Sequence, residues 1–172
     1  MYDVDRNDRV VEVDAPQSSV GAPLPVVVAA EHRLLLAYLA EVSDPGWDGT
    51  TVRAVDVQAD EPVVRVDFDW PTAHILGPPN DEAFSGHPLA SRGLRPYGVF
   101  RVERSSWIRK LERMNRVHPH HNAESFDELL HFVFAFHDST FECIARGFSS
   151  EVVSGPLSAV ASDMARLATT DV

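Results

Sequence analysis

The chain has 172 residues, of which 44% are hydrophobic and 24% are charged, and it carries a formal net charge of −11. This length and composition are typical of one soluble globular domain and leave little room for a second. The acidity disfavours general binding to nucleic acid, which depends on neutralising phosphates with basic side chains.

Expectations about cellular location come from what the composition excludes. The longest apolar runs fall far short of the roughly 20 residues that a membrane-spanning helix needs. The polar, acidic N-terminus does not have the pattern of a secretory signal. A single cysteine, Cys143, cannot form an internal disulfide. We therefore expect a cytoplasmic protein with no membrane association.

The N-terminal part of the chain is predicted to combine a polar arm with the first strands of a sheet. Residues 1–25 form a polar, proline-containing arm in which only 9–13 has the pattern of a strand, and we expect one domain over 26–172. Residues 26–30 are apolar and β-branched, which favours a strand. Residues 37–42 predict its partner across a tight turn, although their spacing also fits a helix.

A second antiparallel pair is predicted from residues 51–57 and 63–70, which are joined by a short polar turn. The later segment alternates strictly, as expected of a strand with one face in the core and the other in water. Its apolar face carries Val64, Val66, Phe68 and Trp70.

The segment 71–98 is too long and too often interrupted to be one regular element, since it contains five prolines and four glycines. Loops of this length inside a domain are usually functional or disordered. Several apolar side chains give the segment something to bury and argue against disorder. They are Ile75, Leu76, Phe84, Leu89 and Leu94. We therefore expect a long structured loop that folds over the sheet and contributes to a site.

A strand over residues 99–104 is followed by the main helix. Ser105 or Ser106 can cap this helix, which we expect to begin near Trp107 and to end before Pro119. Positions three and four residues apart place an apolar stripe on one side and arginines on the other. The stripe consists of Trp107, Ile108, Leu111 and Met114.

Residues 131–147 predict a hairpin around a turn at residues 138–139. In that register His137 lies opposite Thr140 and is a diagonal neighbour of Glu142 on the same face. Such a couple can act as an acid–base unit, or it can be a structural hydrogen bond. The other face, which we expect in the core, carries Phe134, Phe136, Phe141 and Cys143.

An amphipathic C-terminal helix after Pro156 completes the predicted elements. Together they indicate a single α+β domain. We expect a mostly antiparallel sheet of five to seven strands, packed by one main helix and the C-terminal helix. The long structured loop over residues 71–98 should cover one end or face of that sheet.

The leading functional hypothesis is a small-molecule site between the long loop and the final hairpin. Two imidazoles, His87 and His137, are the predicted proton carriers, and Glu142 is predicted to orient them. Between residues 92 and 116 eight basic residues face two acidic ones, which favours an anionic organic ligand. The predicted ligand-binding residues are Arg92, Arg95, Tyr97, Asn80 and Glu82. The arginines could clamp a carboxylate or phosphate, or they could pair with nearby carboxylates.

Two other functions stay open at this point. The basic helix face over residues 109–116 could dock an acidic protein partner in a non-catalytic interaction module, and the chain could form a homo-oligomer. His118, His120 and His121 could hold a divalent metal, although the usual ligand spacings are absent. No cofactor is predicted, because the sequence has no phosphate-binding loop and no dinucleotide-binding motif.

Three stretches of the sequence resemble a bacterial family of conserved hypothetical proteins. They are GPPNDEAFSGHPLASRGL (residues 77–94), SSWIRKLERMN (105–115) and FHDSTFECIA (136–145). The resemblance extends from about Val10 to Phe148. It implies a bacterial, cytoplasmic protein, and it brings no activity or catalytic residue with it.

Overall fold

The structure is a computed structural model that describes residues 2–42 and 56–170. Within these ranges the chain forms nine strands and two α-helices. The strands are β1 Arg9–Glu12, β2 Val26–Ala29, β3 Leu34–Leu39, β4 Glu61–Asp69, β5 Ala73–Gly77, β6 Gly98–Glu103, β7 Leu130–Ala135, β8 Thr140–Ala145 and β9 Gly147–Gly155. The helices are α1 Ser106–Asn115 and α2 Leu157–Thr170.

All strand pairs are antiparallel, and the strands divide into two sheets. The five-stranded sheet has the order β1-β6-β7-β8-β5, and the four-stranded sheet has the order β2-β3-β4-β9. The predicted single α+β domain with two helices is confirmed. The predicted strand at residues 51–57 lies almost wholly outside the described residues. Both edges of β4 are paired, one with β3 and the other with β9.

The two sheets face each other across an aromatic core. Alternate residues of β3 and β4 point into it from one side, and alternate residues of β7 and β8 point into it from the other. The rings of Phe68 and Phe134 meet edge to face, with centroids 5.8 Å apart. Cys143 is buried in this core, as predicted, and burial raises the pKa of its thiol.

Each sheet is also covered on its outer face. On the four-stranded sheet, α2 packs Leu157, Val160 and Met164 against the outward residues of β3. Strand β3 is therefore buried on both faces, which produces an unbroken apolar run rather than an alternating one. This explains why the sequence over residues 37–42 fitted a helix as well as a strand.

The outer face of the five-stranded sheet is covered by α1, the N-terminal segment and the long loop. The loop contains two short 3-10 turns, Phe84–Gly86 and Ala90–Arg92, and it buries Phe84, Leu89 and Leu94. Only the start of the N-terminal segment joins this layer, where Tyr2 is buried in the apolar cluster. β1 is itself the edge strand of the sheet, paired with β6, and the residues that follow lead to the other sheet, where Ser18 bridges to Ala40 just after β3.

Helix α1 begins as predicted. Ser105 is its N-cap, and the Ser105 hydroxyl accepts a hydrogen bond from the backbone N–H of Ile108 at 3.3 Å. The predicted apolar stripe is wrong at its end, because Met114 is exposed. Met114 lies in the last turn of the helix, which ends at Asn115. In the described part of the chain, no helix has the length and apolarity to cross a membrane.

Candidate functional site

A cluster of buried polar side chains lies between the five-stranded sheet and the layer that covers it. Strands β7 and β8 supply His131 and Glu142, which share a face because Val133 is directly opposite Glu142. The long loop supplies His87, the N-terminal segment supplies Tyr2, and the start of α1 supplies Ser105. All five side chains are buried.

The Glu142 carboxylate is the centre of this cluster. Its Oε2 lies 3.0 Å from Nε2 of His131 and accepts a hydrogen bond from the Tyr2 hydroxyl at 2.5 Å. Its Oε1 lies 3.4 Å from Nε2 of His87. Buried carboxylates require this kind of compensation, because an uncompensated charge in a protein interior is very unfavourable.

The hydrogen bonds of His87 indicate which of its two ring nitrogens carries the proton. The backbone N–H of Leu89 donates to Nδ1 of His87 at 3.1 Å, so Nδ1 holds the lone pair. The proton of neutral His87 is therefore on Nε2, facing the carboxylate. At 3.4 Å, His87 Nε2 makes a long polar contact and not a well-formed hydrogen bond.

His131 links the carboxylate to a serine. Its Nδ1 lies 2.9 Å from Oγ of Ser105, while its Nε2 faces Glu142. Because the Ser105 oxygen already accepts from the Ile108 N–H, the hydroxyl proton can be donated to Nδ1. The arrangement is an unbroken chain from Ser105 through His131 to Glu142.

Aromatic rings seal the cluster. Tyr2 stacks on Trp107 with ring centroids 5.1 Å apart, and both rings lie nearly perpendicular to the His131 ring, with centroids 5.2 Å from its centroid. His131 is 0% exposed and Glu142 is 2% exposed, so this packing separates the imidazole and the carboxylate from bulk water. Electrostatic interactions are stronger in such a setting.

The surroundings shift the pKa values of the central groups in opposite directions. Burial by itself would raise the pKa of Glu142, but contacts with His131, His87 and Tyr2 outweigh it and lower the pKa to about 2. Burial, and then the neighbouring Glu142 charge, raise the pKa of Tyr2 above its ordinary value. Glu142 is therefore a carboxylate, and Tyr2 is a neutral donor.

A groove with a volume of about 620 Å³ runs past the start of α1, and Ser105 forms part of its wall. Three arginines and two carboxylates also line it: Arg101, Arg104, Arg109, Glu103 and Asp127. Of the five residues in the buried cluster, Ser105 is the one that lines this groove.

The structure brings two of the three predicted catalytic residues together and places the third elsewhere. His87 contacts Glu142, but the predicted contact between His137 and Glu142 is wrong. The hairpin register is shifted by two residues from the prediction, so that Thr140 pairs with Ala135. His137 lies in the connection, where its Nδ1 is 3.1 Å from Asp138.

His131 takes the place that the sequence assigned to His137. A shift of two residues preserves which side chains share a face, so the alternation of β7 already placed His131 on the face of Glu142. The position of the turn, which the sequence left ambiguous, decided between them. No comparable signal pointed to Tyr2.

The predicted ligand-binding residues do not join the cluster. Nη2 of Arg95 donates to both carboxylate oxygens of Glu12 at 2.7 Å, and the hydroxyl of Tyr97 donates to Asp81. That hydrogen bond raises the pKa of Tyr97 to about 12. The side chain of Asn80 accepts from the backbone N–H of Ala83. Two further members of the set, Arg92 and Glu82, are exposed.

The residues proposed for a metal site and for a protein-docking face mostly contact their own neighbours or are exposed. His121 contacts Asn115 and Glu112, whereas His118 and His120 are exposed. Across residues 2–42 and 56–170, no three metal-ligating side chains are arranged to hold an ion. On the basic helix face, Arg109 pairs with Asp5 and Arg116 pairs with Glu112.

No protein-family model, curated protein or solved structure matches the chain.

Proposed function

We propose that the protein binds a small anionic organic molecule in the groove beside α1 and acts on it by acid–base chemistry. The observation that carries this proposal is the chain of hydrogen bonds from Glu142 through His131 to Ser105. A carboxylate, an imidazole and a hydroxyl in that order form the arrangement that activates a serine nucleophile. Ester hydrolysis is the reaction class that best fits these groups.

Each member of the chain has a defined role in that reaction. The Ser105 oxygen attacks the ester carbonyl carbon while its proton passes to Nδ1 of His131. The ester C–O bond then breaks, and His131 returns the proton to the leaving oxygen. Water hydrolyses the resulting acyl-serine, which releases the acid and restores Ser105. Glu142 holds the imidazole in orientation and stabilises its transient positive charge.

The charge of the groove supports an anionic substrate. Arg101 pairs with Glu103 and Arg109 pairs with Asp5, which leaves Arg104 without an ion pair among the residues described. Arg104 adopts a positive φ of 53° immediately before the serine. Non-glycine residues rarely adopt this conformation, and functional sites are enriched in it. A carboxylate or phosphate group on the substrate could pair with this guanidinium.

Burial of the serine sets a requirement for the reaction. Ser105 is only 2% exposed, so the groove wall must move before a carbonyl carbon can reach the hydroxyl. The wall includes the side chains of Ile108 and Leu130, which are partly buried. Rotamer changes of such side chains are fast compared with enzymatic turnover.

A fluorophosphonate probe tests the proposal directly, because it forms a covalent adduct with an activated serine. We expect the probe to label Ser105 and the protein to hydrolyse 4-nitrophenyl hydrogen succinate in preference to the uncharged 4-nitrophenyl butyrate. Ser105→Ala should abolish labelling and lower kcat by at least about a hundredfold. Ser106→Ala is the matched control, since this neighbouring hydroxyl makes no hydrogen bond in the described structure.

The proposal fails if the folded protein is neither labelled nor faster than Ser105→Ala on the anionic ester. It also fails if Ser105→Ala and Ser106→Ala retain equal activity. Circular dichroism of each variant checks that the fold is intact, since Ser105 also caps α1.

A further inference from the structure

A second cavity lies at one end of the sandwich, where β4 ends, β9 begins and the turn between β2 and β3 folds over. It has a volume of about 790 Å³. Its lining combines one exposed indole with polar groups of both charges. They include His32, Arg33, Asp67, Asp69, Trp70 and Ser149. None of the residues that line this cavity belongs to the buried cluster described above.

Trp70 is the most unusual residue in this cavity. The sequence predicted it on the core face of its strand, but β4 ends at Asp69 and the Trp70 side chain is 67% exposed. Its φ is +48°, a conformation that is rare and unfavourable for a bulky side chain. Backbone strain of this kind persists where the surrounding structure enforces it, and it is concentrated at binding and catalytic sites.

The indole is held from one side by Arg146. The guanidinium carbon of Arg146 lies 4.6 Å from the ring centroid, and its Nη2 pairs with Glu128 at 2.9 Å. The backbone N–H of Arg146 also donates to the carbonyl of Asp69 at 2.8 Å. Trp70 is therefore a positioned platform whose remaining surface borders the cavity.

The polar groups around the platform include charges of both signs. Asp67 is paired with Arg33 at 2.8 Å, and the second carboxylate, Asp69, disfavours an anion in the cavity. His32 and Ser149 add groups that can both donate and accept hydrogen bonds. A ligand suited to this lining is uncharged, offers many hydroxyls, and has an apolar face that can stack on indole.

We propose that this cavity is a carbohydrate-binding site in which a sugar ring stacks on Trp70. The C–H face of the ring covers the indole, while its hydroxyls exchange hydrogen bonds with Asp67, Arg33 and Ser149. Mixed donors and acceptors around an aromatic surface are the usual composition of a site for a neutral polar ligand. This inference is independent of the ester chemistry proposed for the α1 groove.

The test is a binding titration with defined sugars. Maltose, cellobiose, N,N′-diacetylchitobiose and methyl α-D-glucopyranoside are each titrated into the protein and followed by calorimetry and tryptophan fluorescence. We expect at least one to bind with a Kd below roughly 10 mM. Trp70→Ala should weaken that binding by about tenfold or more, because truncating a central tryptophan commonly has this effect.

Control variants separate stacking from a general surface effect. Trp70→Tyr keeps an aromatic face and should retain part of the affinity. Met114→Ala removes another exposed apolar side chain, on α1, and should leave binding unchanged. Asp67→Asn should weaken binding while the thermal unfolding temperature stays close to that of the wild type.

Three results would overturn the proposal. One is that none of the four sugars binds below roughly 10 mM. Another is that binding occurs but is the same in Trp70→Ala. The last is that adenosine monophosphate binds in a Trp70-dependent way while the sugars do not, which would assign the cavity to an aromatic anion.

Discussion

Replacing Glu142 with glutamine tests whether the buried carboxylate has the role described here. The substitution keeps the shape of the side chain but removes the negative charge shared by His131, His87 and Tyr2. It also places an amide N–H₂ group against a group that donates to the carboxylate in the wild type, either His87 on one side or His131 and Tyr2 on the other. Each hydrogen bond to a charged group contributes about 1.5–3 kcal/mol, so weakening the two that Oε2 accepts from His131 and Tyr2 costs about 3–5 kcal/mol. We expect a loss of this size at pH 7.

The pH dependence of stability gives a second measure of what the Glu142 carboxylate contributes to the free energy of unfolding. The pKa of Glu142 is lowered from an ordinary value of 4.5 to about 2. The unfolded state therefore binds more protons between these values, and stability must fall as the pH drops through this range. With about 1.4 kcal/mol for each pKa unit, the carboxylate contributes about 3 kcal/mol above pH 4.5 that is lost near pH 2.

Urea unfolding monitored by circular dichroism measures both quantities between pH 2 and pH 7. Glu142→Gln should be less stable at pH 7 and should have a flatter acid limb than the wild type. Glu12→Gln is the matched control: its carboxylate pairs with Arg95 on the surface, so we expect a change in stability at pH 7 within about 1 kcal/mol. A Glu142→Gln protein as stable as the wild type, or with the same acid limb, would refute the reasoning.

Three further substitutions test the packing. Tyr2→Phe keeps the ring but removes the hydroxyl donor to the buried carboxylate, and it should cost about 1.5–3 kcal/mol in urea unfolding. Gly98→Ala should cost about 1–3 kcal/mol, because a Cβ there would lie 2.8 Å from the ring of Phe100, whereas Gly77→Ala meets nothing within 4 Å and should be neutral or nearly so. Phe134→Ala removes a fully buried ring between the sheets and should lower stability by about 3–5 kcal/mol. A loss below about 1 kcal/mol would contradict the placement of this ring in the core.

Local features of the fold could be predicted from the sequence because they depend on near neighbours. Ser105 caps α1 through a bond to a residue three positions away. The two faces of the β7–β8 hairpin follow from alternation alone. The aromatic face carrying Phe134 and Phe141 was therefore assigned correctly, even though the register was shifted by two residues.

The division of the strands into two sheets had no signal in the sequence. Strand β8 ends at Ala145 and β9 begins at Gly147, yet these neighbouring strands belong to different sheets. An alternating pattern shows that a strand has a buried face, but it does not show which strand lies beside it. That choice depends on contacts between distant parts of the chain, such as the pairing of β4 with β9.

The exposure of Trp70 could not be anticipated for a related reason. Its position continues the alternation of Val64, Val66 and Phe68, so the pattern placed it in the core. The strand ends one residue earlier, and a positive φ turns the indole outward. Strand ends are set by what the neighbouring strands and connections require, which a periodic pattern does not record.

The sequence by itself determined seven of the nine described strands, all but β5 and β9, together with the helix cap and the face on which Glu142 lies. Hydrogen bonds between near neighbours and the period of the backbone set these features. Only the tertiary structure decided which groups surround that carboxylate. Tyr2 is 140 residues from Glu142 in the sequence, and Ser105 is 26 residues from His131, yet their side chains are hydrogen-bonded. Such contacts form only when separate elements pack together, since the burial of whole faces brings these polar groups into one place and no local spacing specifies them.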